Sequence, residues 1–112
     1  MMPLVYICSK YAGDVEKNIQ AARRYCRFAV ECGCIPIAPH LLYPQFLDDE
    51  NPDERRLGLL FGNALMDKCD EIWIFGLELS AGMKAESEQA IRKGYNIRRF
   101  TADCKEVPAD AD

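Results

Sequence analysis

The residues best suited to chemistry in this chain gather around one carboxylate, Glu86. Read as a helix at about 100° per residue, Leu79, Met83 and Ala90 share a narrow apolar arc. Glu86 falls about 60° from Met83, on the shoulder of that arc. A carboxylate half-turned toward a sheet, near a helix N-terminus that favours its ionised form, is a candidate nucleophile. An ordinary boundary glutamate on a surface helix would occupy the same place. Just ahead of it, Ser80, Ala81, Gly82 and Met83 form a turn. Free backbone N–H groups there could hold a phosphate or a sugar hydroxyl, and the serine could equally serve as a helix cap.

A second set of candidates lies near the N-terminus. Tyr6 belongs to an apolar run and could point its hydroxyl at a ligand or simply fill the core. The loop of residues 9–14 adds Ser9, Gly13 and Asp14, with Asn18 one turn into the following helix. This loop has neither a P-loop nor a dinucleotide-binding pattern of glycines. His40 is the single histidine. One histidine cannot build a His-rich metal site, and no Ser-His-Asp order can be assigned to it. Tyr43 and Phe46 could stack on a base or plug their loop onto the core. The acidic run Asp48, Asp49, Glu50, Asp53 and Glu54 reads as a solvated face. No metal or other cofactor is expected.

These residues are positioned by alternating elements. Residues 4–8 form a continuous apolar run, as in a strand buried on both faces of a parallel sheet. Asp14 can cap a helix whose apolar face is Val15, Ile19, Ala22, Cys26 and Ala29, closed by Gly33. Residues 35–38 read as a second strand, and Pro36 demands that it lie at an edge. Residues 39–51 read as a long irregular loop of the kind that is usually functional. Pro52 opens a second helix with a buried stripe of Leu57, Leu60, Phe61, Ala64 and Leu65. Residues 71–75 are the clearest strand, a third helix runs from Ser80 toward Gly94, and residues 96–100 form a last strand. The order β-α-β-α-β-α-β predicts a three-layer, Rossmann-like (flavodoxin-like) α/β domain over residues 1–101. Its four-stranded parallel sheet would have the order 2-1-3-4, followed by a flexible acidic tail over 102–112. Ligands bind at the topological switch point of such a sheet, here where the loops after strands 1 and 3 meet.

Composition narrows the function classes. The chain has 112 residues, enough for one domain, with a formal charge of −4. That balance, with basic residues scattered, argues against a nucleic-acid polymer as the main partner. No apolar run approaches a membrane span, and no positive n-region of a signal peptide opens the chain. Of the six cysteines, Cys8, Cys26, Cys32, Cys34, Cys69 and Cys104, five fall in or beside predicted elements. They read as reduced, structural thiols, with disulfide or metal roles as lesser alternatives, which makes the cytoplasm the expected compartment.

Three stretches carry a family resemblance: Val5-Tyr6-Ile7, the run from Cys69 to Phe75, and the run from Ser80 to Glu86. Over residues 4–100 the chain resembles the nucleoside 2-deoxyribosyltransferase and deoxynucleotide N-glycosidase superfamily. It is similar to a bacterial and phage-borne branch of short proteins with Tyr-Ala-Gly-Asp and Ala-Pro-His-Leu-Leu motifs, here residues 11–14 and 38–42. The resemblance implies Glu86 as nucleophile, Tyr6 as the residue orienting it, and Ser80 toward a nucleotide phosphate. The position of the family's second acid holds Gly62 or Asn63, and Lys84 replaces a motif glycine. The implied ligand is a small nucleoside or nucleotide, either cleaved at its N-glycosidic bond or bound without turnover. The implied assembly is a homodimer or higher homo-oligomer, because related enzymes complete their sites across subunits.

Overall fold

The computed structural model describes residues 2–108. The elements in chain order are β1 (Leu4–Cys8), α1 (Val15–Glu31), β2 (Ile35–Ile37), α2 (Pro39–Leu42), a 3-10 turn (Tyr43–Gln45), α3 (Pro52–Met66), β3 (Glu71–Phe75), α4 (Ala81–Arg92), β4 (Ile97–Phe100) and β5 (Glu106–Val107). They build an α/β domain around one sheet of order β2-β1-β3-β4-β5. The first four strands pair in parallel, with Tyr6 opposite Ile37 on one side and Ile72 on the other. Pro36 lies on the edge strand, where its missing N–H is harmless.

The sheet corrects the expected count of four strands. A fifth strand, β5, folds back antiparallel on β4, pairing Arg99 with Val107. Its signal is too short for pattern reading, and it is held by side chains: the Arg98 guanidinium forks onto Glu106 at 2.9 and 2.7 Å. Of the tail expected over 102–112, residues 106–107 therefore form strand, while 109–112 lie outside the described residues.

Alternation along the strands divides the core in two. Val5, Ile7, Trp73 and Phe75 pack with Tyr25 and Ala29 of α1 and with Phe100. Tyr6, Cys8, Ile72 and Ile74 pack with Met66 of α3 and with Met83 and Ala90 of α4. Asp14 and Ser80 are the expected caps of α1 and α4, accepting from Lys17 N and Met83 N, and α3 opens with Pro52 behind an Asn51 cap that accepts from Asp53 N and Glu54 N. Gly33, at φ +81°, takes the left-handed turn that closes α1. Tyr25, absent from the expected face of α1, is buried there and stacks on Phe75 at 4.2 Å.

Two stretches depart from the expected pattern. Within 39–51, expected to be irregular, α2 and the 3-10 turn fold compactly after β2. In α3 the expected buried stripe is largely exposed: Leu57 is 42% and Leu60 61% accessible, while Gly62 and Met66 face inward. A small glycine lets the helix approach the sheet, so the inward face is thinner than hydropathy suggests. Among the described residues, no helix is long and apolar enough to cross a membrane.

Candidate functional site

Glu86 stands on the second turn of α4 and its carboxylate meets β1. The Tyr6 hydroxyl donates to Oε2, and the Cys8 thiol lies 3.6 Å from Oε1. Tyr6 and Cys8 point to the same face because strand side chains alternate with period two. Burial, and then the neighbouring Glu86 carboxylate, push both the phenol and the thiol well above their ordinary ranges. Both therefore stay protonated and act as donors. Burial also raises the Glu86 carboxyl, against the opposing pull of the bonds from Tyr6 and Cys8. The helix N-terminus is expected to favour the ionised form, and burial works in the opposite direction and outweighs the two hydrogen bonds.

The carboxylate opens on a cavity of about 280 Å³ between the ends of β1, α2, α3 and α4. Tyr6, Ser9, His40 and Tyr43 line it from one side, and Ser80, Gly82, Met83 and Glu86 from the other. Most of the residues singled out from sequence therefore converge. Gly13, Asp14, Asn18 and Phe46 do not line this cavity. Asp14 caps α1 and Gly13 takes the positive-φ turn before it. The Asn18 amide donates to the carbonyls of Tyr11 and Ala12, each at 3.0 Å, and so ties down the first loop. Phe46 is 62% exposed and meets Tyr43 edge-on. A second cavity, of about 510 Å³, lies toward α1; Ser9 and Met83 line both, and Asn18 lines the second.

Several lining residues were not legible as such. Asp49, Glu54 and Arg55 line the cavity, although the acidic run around them reads as solvated. Glu54 also accepts from the backbone N–H of Asp48 at 2.8 Å, which folds the loop back over the start of α3. Gly62 and Asn63, where the resemblance leads one to expect a second acid, line the cavity too. A Cβ added at Gly62 would come within 3.3 Å of the Tyr6 hydroxyl oxygen, so this glycine makes room for the donor to Glu86. Helical spacing from Gly58 to Gly62 was the available signal for a close approach, since both residues are unfavourable helix formers.

Ser9 is buried, and its hydroxyl is 2.8 Å from His40 Nε2. Burial lowers the His40 imidazole to about 4, so it is neutral at physiological pH. The six cysteines are all free thiols. Among the described residues, no three His, Cys, Asp or Glu side chains converge as a metal site.

A family model described as a domain of unknown function (DUF7768) matches residues 3–100. The chain belongs to this family. The match takes in β1 through β4 and every residue that lines the Glu86 cavity. No curated protein matches the chain.

Proposed function

We propose that this domain cleaves the N-glycosidic bond of a nucleoside or nucleotide, with Glu86 as nucleophile. The observation that carries the reading is a carboxylate at a cavity wall, held through both oxygens by protonated Tyr6 and Cys8. Glu86 would attack the anomeric carbon and expel the base, and water would then release the sugar with net retention. Tyr6 orients the carboxylate, and Ser80 with the adjoining backbone N–H groups faces the 5′ end. Tyr43 offers a ring to cover the base. The Rossmann-like (flavodoxin-like) reading of the fold supports this, because the cavity lies beyond the carboxyl ends of the strands. In this reading the protein works as a cytoplasmic homo-oligomer and needs no metal.

A second reading is a non-catalytic binder of a nucleotide or ADP-ribose-like ligand in the same cavity. It is favoured by Gly62 and Asn63, neither of which is an acid, at the position where the resemblance implies the enzymes' second acid. Incubation with a panel of nucleosides and their monophosphates, followed by chromatography, separates the two. Base release that disappears in Glu86→Gln supports the enzyme. Tight binding without release, unchanged in Glu86→Gln, supports the binder.

A further inference from the structure

The mechanism above gives no task to Ser9 and His40, two residues of the cavity wall that bond each other. Among the described residues Ser9 is the one polar side chain that is buried, and it is bonded to the chain's single histidine. Ser9 follows Cys8, whose thiol touches Glu86, and both Ser9 and His40 line the Glu86 cavity. Ser9 and His40 therefore face the same cavity as the Glu86 carboxylate. No third side chain among the described residues bonds His40, so the pair lacks the orienting acid of a hydrolytic triad. What remains is a hydroxyl and an imidazole in contact, able to pass a proton between the cavity and a nitrogen base.

We infer that Ser9 and His40 form the proton relay that activates the water attacking the glycosyl-enzyme, an inference that rests on the glycosidic-bond reading of Glu86. In the first step the bond from a Glu86 oxygen to the anomeric carbon forms, the bond to the base nitrogen breaks, and the electron pair leaves with the base. In the second step the water oxygen bonds the anomeric carbon. The bond to Glu86 breaks, and its electron pair returns to the carboxylate. The water proton passes to Ser9 Oγ as the serine proton passes to His40 Nε2. The imidazolium then yields that proton to the departed base or to solvent, and the pair is reset. A neutral imidazole is the form such a step requires, and burial keeps His40 in that form.

The test uses the full chain with the four common 2′-deoxynucleosides and their 5′-monophosphates. His40→Gln keeps a group that can accept from Ser9, and Ser9→Ala removes the hydroxyl alone. Thermal melts of both variants check that the fold is retained. The expected result is a rapid burst of about one base per chain, followed by turnover about 10²–10⁴-fold below wild type. A sugar adduct on Glu86 should accumulate and be visible by mass. Azide, a nucleophile with no proton to lose, should restore turnover in both variants. Wild-type turnover in the variants, or failure of azide to restore it, overturns the relay and leaves the nucleophile intact. Absence of base release from the wild-type chain removes the glycosidic reading and the relay together.

Discussion

Replacing Glu86 by Gln removes a charge from a place where burial disfavours it, and keeps the side chain's length. The Tyr6 hydroxyl can still donate to the amide oxygen. In the folded chain the Glu86 carboxyl is raised by burial, so the folded state holds this proton more tightly than the unfolded state. Between the ordinary carboxylate range, about 4.3, and the raised value, the unfolded chain has lost the proton while the folded chain retains it. Stability falls as pH rises through that window and is flat above it. The glutamine cannot titrate, so at pH 7 Glu86→Gln should be more stable than wild type. Substitutions that relieve such sites commonly add about 0.5–2 kcal/mol. In a domain of this length that is a rise in Tm of about 2–8 °C. His40 has the opposite sign. Its imidazole is lowered from 6.5 to about 4, so stability falls as pH drops through that interval, by up to about 3 kcal/mol. The two slopes oppose each other in the wild type. Thermal melts between pH 4 and 7 should therefore show a steeper rise with pH in Glu86→Gln and a flatter or falling curve in His40→Gln. A Glu86→Gln chain that melts at or below wild type at pH 7, or a gap that does not change with pH, would refute the reasoning.

Tyr6→Phe removes a donor to a charged acceptor, an interaction worth about 1.5–3 kcal/mol. It should lower kcat/KM for base release about 10- to 100-fold and move the ascending limb of the pH profile to higher pH, because Glu86 loses a bond that favours its ionised form. An unmoved limb would show that Tyr6 does not tune the carboxylate. Gly58→Ala and Gly62→Ala form a paired test inside α3. Each gains up to about 1 kcal/mol of helix propensity, but the nearest atom to the new Cβ is 3.8 Å away at Gly58 and 3.3 Å away at Gly62. Chemical denaturation should find Gly58→Ala stabilised, and base release should fall only in Gly62→Ala, as Tyr6 is displaced. Equal behaviour at both sites contradicts the close approach. Glu106→Ala should cost about 0.2–1 kcal/mol, since the Arg98 pair is half-exposed. Ending the chain at Thr101 should cost more, because Cys104, which packs on the core, goes with β5. A truncated chain that melts like wild type would show that β5 adds nothing.

Long elements with a clear period were readable from residue types, and contacts set by shape were not. The runs at 4–8 and 71–75 contain buried apolar residues at nearly every position, so their place in the sheet followed from composition. Glu86 and Tyr6 were legible because one lies on the shoulder of an apolar arc and the other inside a strand. Asp49, Glu54 and Arg55 were not, because a charged run looks the same whether it faces water or rims a cavity. The exposed Leu57 and Leu60 misled for the opposite reason: hydropathy assigns apolar residues to the core, while α3 rests on the sheet through Gly62 and Met66. Strand β5 is two residues long and carries no period at all.

The donors chosen for Glu86 bear on whether it is reactive. A guanidinium in contact would depress the carboxyl and hold the charge in an ion pair, stable but blunted. Here the contacts are a phenol and a thiol, both neutral, and each gives up only a hydrogen bond when a substrate draws on the oxygen. Arg55 lines the same cavity, and among the described residues no ion pair joins it to Glu86. A carboxylate kept only for stability would be better served by water or by a cation. One kept buried, aligned through both oxygens and uncompensated by charge is destabilising to the fold, an arrangement that fits the proposed nucleophile better than a structural role.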